Sequence, residues 1–198
     1  GYGPILRPSA REAYSLRQQI FEQVRASGQI ARSTIARTLN VSPGSVTALT
    51  ADLIADGFLR EVGSVTREAI RGRPPVALEL VPEALHVIGV KLSDERHTAV
   101  LTDFGGSVLA SASLDAASEK TTANALLRET EILIKQLCDI AQILPHSISA
   151  IGVGISGIVD CKTGIVAWSP LLRDLDIPLG KLLATHFGTP VLIDNDAN

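Results

Sequence analysis

The stretch SPGSVTALTADLIADG, residues 42–57, constrains the fold of this chain more than any other. It carries a full set of helix boundary signals. Ser42 is a good N-cap, because its side-chain oxygen can accept from the free N–H groups of a first turn, and Pro43 next to it needs no donor there. Val46, Leu49, Leu53 and Ile54 recur at helical spacing, and Gly57 closes the C-terminus. Two helices are expected before it. Residues 12–26 place Leu16, Ile20, Phe21 and Val24 on one face and stop at Ser27-Gly28, and residues 32–39 turn Ile35 and Leu39 inward and stop at Asn40. The order is helix, helix, tight turn, helix.

FLREVGSV and PVALELV, which follow, read as strands joined by the polar connection TREAIRGRP. A strand pair after a helix-turn-helix is a wing, so residues 12–81 read as a winged helix-turn-helix and residues 1–82 as a DNA-binding domain. In that arrangement the N-terminal turn of the third helix enters the major groove. Its outward positions are Ser45, Thr47 and Ala48, small residues that permit close approach, while Arg32 and Ser42 stand where phosphates are bound. In RGRPP, Gly72 lets the backbone lie close to a surface, Pro74 and Pro75 hold the chain extended, and Arg71 and Arg73 can enter a narrow minor groove. The alternative for this stretch is a solvated interdomain loop.

Charge separates the two halves. Residues 1–80 hold ten Arg, no Lys and seven Asp or Glu, a net +3, whereas residues 81–198 hold eight basic and fourteen acidic residues, a net −6. A polyanion is therefore met by the first part. At 198 residues and 45% apolar content, two domains are expected. No apolar run approaches the roughly 18 residues that span a bilayer, and GYGPILRPSAREAY lacks a signal-peptide core. A soluble, cytoplasmic protein without a membrane partner is expected. Cys138 and Cys161 are the two cysteines, with no CxxC or Cys/His cluster, so they read as buried thiols and neither a disulfide framework nor a zinc site is indicated.

From His86 the pattern changes. HVIGVKLS, HTAVLTD and GSVLASASL read as an antiparallel meander, followed by a helix over 118–143 with Leu126, Leu127, Ile132, Ile134, Leu137, Ile140 and Ala141 inward. ISAIGVGIS then reads as a strand buried on both faces, with Gly154 and Gly157 making a tight turn at its end. A helix at 178–186 leads to the strand PVLID and the terminal NDAN. Asp103 and Asp160, beside glycines at strand ends, are expected to form turns. His97, His146 and His186 are isolated and Trp168 lies in loop-like VAWSP, so none is assigned chemistry.

RGRPP, the VIGV strand, GVGISGIVD, GIVAWSPLL and VLIDNDAN, in this order, resemble the ROK family of repressors and sugar kinases, in its transcription-factor branch. The likeness runs over nearly the whole chain. It implies an α/β fold class, with an N-terminal winged helix-turn-helix followed by the first lobe of an actin-like (sugar kinase, ribonuclease H-like) domain. That lobe is the ligand-sensing domain, residues 83–198. Relatives continue into a second lobe and a cysteine-rich zinc motif, so the likeness implies a truncated chain, with no cofactor in it and any zinc site in the part beyond.

In the family's kinases the first hairpin resembles Asp-x-Gly-Gly-Thr, whose glycines bring backbone N–H groups to ATP phosphates. In IGVKLSDERH, Lys91 takes the carboxylate position and Ser93, Asp94 and Glu95 take Gly-Gly-Thr. Carboxylates set against phosphates cost several kcal/mol at low effective dielectric, on the order of a millimolar ligand's whole affinity. Neither ATP binding nor catalysis is expected. VLIDNDAN resembles the family's Glu-Asn-Asp-Ala-Asn sugar motif with Asp194 in first place, which implies Gly157, Asn195 and Asp196 as sugar contacts; the residue matching Asp196 resembles the kinases' general base. On spacing alone, the Asx residues could instead cap and turn the chain.

The implied function is a sequence-specific regulator, a repressor of carbohydrate genes, acting as a homodimer or higher homo-oligomer on double-stranded operator DNA. A sugar or amino-sugar effector would control it through a catalytically inactive kinase-like domain. The rivals are an ATP-dependent sugar kinase with an accessory DNA-binding domain, and a DNA-binding protein whose second part only dimerises.

Overall fold

The computed structural model describes residues 15–63 and 76–196, which fall into two compact units, residues 1–81 and 82–198. The first contains α1 (Leu16–Ser27), β1 (Gln29–Ala31), α2 (Arg32–Leu39), α3 (Pro43–Ala55), β2 (Leu59–Gly63) and β3 (Val76–Leu80). Local signals set most of these boundaries. Ser15 and Gln18 form a capping box at the start of α1, so this helix begins at Leu16; residues 12–14 of the expected helix lie outside the described residues. Asn40 takes the left-handed conformation at φ 53 after α2, and the Ser42 oxygen accepts the Ser45 N–H at the start of α3.

The short strand β1 was not expected from the sequence. It pairs antiparallel with β3, which pairs with β2 on its other side, giving the sheet order β1-β3-β2. Its three residues are too few to show alternation, and only the partner strand makes them a strand. Ile20, Val24, Ile35, Val46, Leu53, Leu59 and Leu78 are buried where the three helices meet this sheet, each worth about 1.5–3 kcal/mol relative to exposure. Helices of this order beside a small antiparallel sheet make a winged helix-turn-helix.

The second unit contains β4 (His86–Leu92), β5 (Arg96–Asp103), β6 (Val108–Asp115), α4 (Ala123–Ala141), β7 (Ile148–Ile155), β8 (Ile158–Asp160), β9 (Ile165–Trp168), α5 (Leu179–Phe187) and β10 (Val191–Asn195). Its main sheet has the order β10-β7-β4-β5-β6. The β4-β5-β6 meander is antiparallel, as expected, while β7 pairs parallel with both β4 and β10. Ile88, Val90, Leu101, Leu126, Leu133, Leu137, Ile151, Val153, Leu183 and Ile193 form one core between the sheet and the two helices.

Several expectations need correction. α4 starts at Ala123 rather than 118, capped by Thr122, because Thr121 is drawn into pairing with the 171–173 segment: its N–H donates to Leu171 O at 2.8 Å and its carbonyl accepts from Arg173 N at 3.0 Å. Ile132 and Ile140 are exposed, at 45% and 60%, and Leu133 and Cys138 are inside instead. β7 is not buried on both faces among the described residues: Ile151, Val153 and Ile155 face the core, whereas Gly152 and Gly154 are half-buried on the other side. Gly154 lies within β7 and not in a turn. Trp168 ends a strand, opposite Ile158 in the β8-β9 hairpin.

Asp103 and Asp160 do form turns. Asp103 Oδ1 accepts Ser107 N–H at 2.8 Å, and Asp160 accepts Thr163 Oγ1 at 2.7 Å and Lys162 N–H at 3.0 Å, which hold its carboxyl below the usual range. Among the described residues, no helix is long and apolar enough to cross a membrane.

Candidate functional site

In a sheet with parallel strands, ligands collect beyond the strands' carboxyl ends, where backbone groups and loop side chains converge. Here those ends belong to β4, β7 and β10. Lys91 on β4 lies beside Gly154 on β7, which lies beside Asp194 on β10. Asp196 follows β10 and folds back over Gly154: its N–H donates to Ile155 O at 3.3 Å, and a Cβ on Gly154 would be 3.5 Å from Asp196 Cβ. Asp196 Oδ2 accepts the Ser156 hydroxyl at 3.1 Å and lies 3.6 Å from Lys91 Nζ. Lys91 is thus the nearest counter-ion of Asp196 among the described residues.

The neighbouring side chains are held as firmly. Asn195 Nδ2 donates to the carbonyl of Gly157. Gly157 has φ 146, and a Cβ there would lie 2.1 Å from the Trp168 carbonyl oxygen, so no other residue fits without moving the β8-β9 hairpin. Asp194 Oδ1 accepts from the Cys161 thiol at 3.0 Å and from Asn195 N–H at 2.7 Å. The thiol bond, then the amide, hold the Asp194 carboxyl below its ordinary value; the same bond pushes the Cys161 thiol up. Cys161, expected buried, is exposed, whereas Cys138 is buried. Beside Lys91 the open sheet face carries a hollow of about 380 Å³ bordered by Gly89, Thr98, Val100, Gly152 and Gly154.

Sequence reasoning assigned nothing to His97, yet it fixes the first hairpin. It is 2% exposed. Its Nδ1 accepts Ser93 N–H at 3.2 Å, so Nε2 carries the ring proton and donates to Glu129 Oε2 on α4 at 3.1 Å. Asp94 and Glu95 stand exposed at the tip. The signal was available in the alternation of β5, where 97, 99 and 101 share the inward phase. No group of three or more His, Cys, Asp or Glu placed to hold a metal ion occurs among the described residues.

The other candidate surface is the first two turns of α3. Ser42, Ser45, Thr47 and Ala48 are exposed. Ser42 and Ser45 hydroxyls are 2.8 Å apart and Thr47 Oγ1 donates to Pro43 O at 2.9 Å, so these small side chains lie close to the helix. Arg32 is differently employed: Nε donates to Thr50 Oγ1 at 2.8 Å and Nη1 is 2.7 Å from Glu61 Oε1, tying α2 to α3 and β2. Arg17, Arg25 and Arg60 are likewise paired, with Asp56, Glu22 and Glu79. Arg37, exposed in the last turn of α2, has no ion-pair partner among the described residues, and sequence reasoning passed over it. Arg71, Gly72 and Arg73 lie outside the described residues.

Residues 87–198, more than half of the chain, match the model of the ROK family. The chain belongs to the ROK family. It is 32% identical over 173 residues to the putative xylose repressor of Caldicellulosiruptor sp. (strain Rt8B.4), a match covering 85% of this ROK chain and 42% of that protein. It is 25% identical over 184 residues to the DNA-binding transcriptional repressor Mlc of Escherichia coli K12, covering 89% and 43%. A crystal structure of a ROK family transcriptional regulator, described as a homolog of the E. coli Mlc protein, matches with a TM-score of 0.72 and 25% identity over 91% of this chain and 45% of that one. The chain therefore spans less than half the length of these relatives. The family model begins at residue 87, in the second unit; the matches to repressors extend the likeness into the winged helix.

Proposed function

We propose that this ROK chain is part of a transcriptional repressor whose winged-helix unit binds double-stranded operator DNA and whose kinase-like unit binds a sugar without turning it over. One observation carries the reading: the likeness to proteins named as repressors covers 85% to 89% of the chain, so it takes in both units together. The exposed turn of α3 is the major-groove reader, with Ser45, Thr47 and Ala48 toward base edges and Ser42 toward phosphate. Arg71, Gly72 and Arg73 are assigned to the minor groove. A pair of copies would read the two half-sites of one operator.

The second unit supports sensing over phosphoryl transfer. A kinase needs its carboxylates on the metal and the attacking hydroxyl, and glycines under the phosphates. Here Lys91 occupies the first position and neutralises Asp196, while Asp94 and Glu95 project from the tip where phosphates would lie. Gly157, Asn195 and Asp196 remain to present hydrogen-bond partners to a sugar or amino sugar. Regulation requires that this ligand bind the DNA-competent and DNA-released states unequally.

The test is a gel-shift titration of the full-length protein on its own promoter region, repeated with individual sugars and amino sugars, beside an ATP-hydrolysis assay. One sugar is expected to change operator affinity at least fivefold, with no sugar-dependent ATP turnover. Sugar-stimulated ATP hydrolysis, or operator binding indifferent to every sugar, would overturn the proposal.

A further inference from the structure

Lys91 has no counterpart in the phosphotransfer machinery the fold resembles, and its geometry gives it a different task. Resting on the proposed sugar site, we infer that Lys91 and Asp196 together read one free hydroxyl of the effector, and that the pair rejects a phosphate ester at that position. Lys91 is then a specificity-determining residue.

The separation of 3.6 Å between Lys91 Nζ and Asp196 Oδ2 exceeds a direct N–H···O bond, which spans about 2.7–3.2 Å. An oxygen about 2.8 Å from both atoms sits at the apex of that gap with ordinary hydrogen-bond lengths. The two flanking groups are opposite in kind. The ammonium only donates, and the carboxylate only accepts. A bridging group must therefore accept from one and donate to the other, and among the polar groups of a sugar a hydroxyl does both. The Ser156 hydroxyl, 3.1 Å from the same Oδ2, already occupies one direction of that oxygen and fixes the carboxylate's orientation.

Access fits as well. The Lys91 side chain is 58% exposed and Asp196 14%, so the pair is open on the lysine side and backed by protein on the other. Gly154, between the strand position of Lys91 and that of Asp194, adds no side chain beneath the gap. A phosphate ester fits poorly. With a second pKa of about 6 it is largely a dianion at neutral pH, with no proton to give Asp196. It would set its charge against Asp196 and, two residues earlier on β10, Asp194, with Lys91 as the only cation of this pairing. The reading of phosphorylated and unphosphorylated sugar would thus rest on a residue that a kinase could not carry at this position.

Calorimetry on the full-length protein tests this, with D-xylose, D-glucose, N-acetyl-D-glucosamine, and the monodeoxy and monophosphate derivatives of whichever binds. K91M removes the ammonium and keeps the stem; K91Q is the second variant should K91M lose operator binding, the control for folding. Either variant is expected to bind the free sugar at least tenfold more weakly with operator affinity in its absence unchanged. One monodeoxy sugar should bind wild type and variant equally, which identifies the hydroxyl read, and the phosphate ester at that hydroxyl should bind wild type at least tenfold more weakly than the free sugar. A K91 variant with unchanged sugar affinity, or a phosphate ester that binds more tightly, overturns the inference and leaves the proposed function standing. Absence of binding by every sugar overturns both.

Discussion

Two donors meet at the Asp194 carboxylate, and one of them is a thiol. Because the Cys161–Asp194 bond raises the thiol above its ordinary value, less thiolate is present near neutrality, and the thiolate is the reactive form. Exposed Cys161 should therefore react with iodoacetamide at pH 7.5 more slowly than an unencumbered thiol. D194A should speed that reaction, and the alkylation rate of wild type against variant, by mass spectrometry, decides it; equal rates would show the bond absent in solution. Cys138, buried and raised chiefly by desolvation, serves as the internal control that reacts only on unfolding. Gly157 gives a second residue-scale prediction. G157A puts a methyl into the Trp168 carbonyl at a φ that side chains rarely adopt, and about 3 kcal/mol or more should be lost, read as a shift in urea midpoint. A change below about 1 kcal/mol would mean that the β8-β9 hairpin yields easily. The glycine's role as a turn former was legible in GVGISGIVD. The carbonyl that fills its side-chain space comes from eleven residues further on, and no local pattern announces such an approach.

Elements with local boundary signals came out as read. α2 ends at Asn40 and α3 begins at Ser42 and Pro43 as their local signals dictate, since capping involves neighbours within one turn. Elements fixed by distant partners did not: β1 exists because β3 is beside it, and α4 loses its first residues because the 171–173 segment claims Thr121. The candidate site was legible for the same mixture of reasons. Asn195 and Asp196 stood out as a motif, whereas the Lys91–Asp196 pair needs β4 and β10 flanking β7, which only the sheet order supplies. The small sheet offers a test of one such distant partnership. Glu79 on β3 accepts from Gln29 on β1 at 2.8 Å and from Arg60 on β2 at 2.7 Å, and these bonds, Gln29's first, lower its pKa. A carboxyl depressed in the folded state stabilises above its unfolded pKa of about 4.3 and ceases to do so as pH falls through the lower folded value. Wild type should thus lose stability more steeply than E79Q below about pH 4.3, while at pH 7 the exposed pair is worth less than about 1 kcal/mol. Urea midpoints at several pH values between 6 and 3 measure both; parallel curves would remove Glu79 from the acid response.

At the scale of the whole chain, charge is partitioned, with net +3 over residues 1–80 and −6 over residues 81–198. On the proposed function, attraction to DNA must then come from the first part, against a repulsive second. The count of ten arginines overstates what is available. Arg17, Arg25, Arg32 and Arg60 are each paired with a carboxylate in the described part, and a paired guanidinium that contacts a phosphate must first give up its partner. Such pairing is invisible in the sequence, where Arg32 read as a phosphate contact from its place at a helix N-terminus. Arg37 should release counter-ions on binding, because it stands exposed and unpaired among the described residues. R37A is accordingly expected to weaken operator and unrelated DNA alike, and to lower the slope of log K against log salt by about 1. R32A should behave differently, lowering the urea midpoint by severing α2 from α3 and β2 while leaving the slope nearly unchanged. Fluorescence anisotropy between 50 and 200 mM salt separates the two, since a fold-supporting arginine changes the amount of competent protein and a phosphate-binding one changes the exponent. If R37A kept the wild-type slope and R32A lost one unit, the Arg32–Glu61 pair would have to open on DNA, and Arg32 would regain the role its position in the sequence suggests.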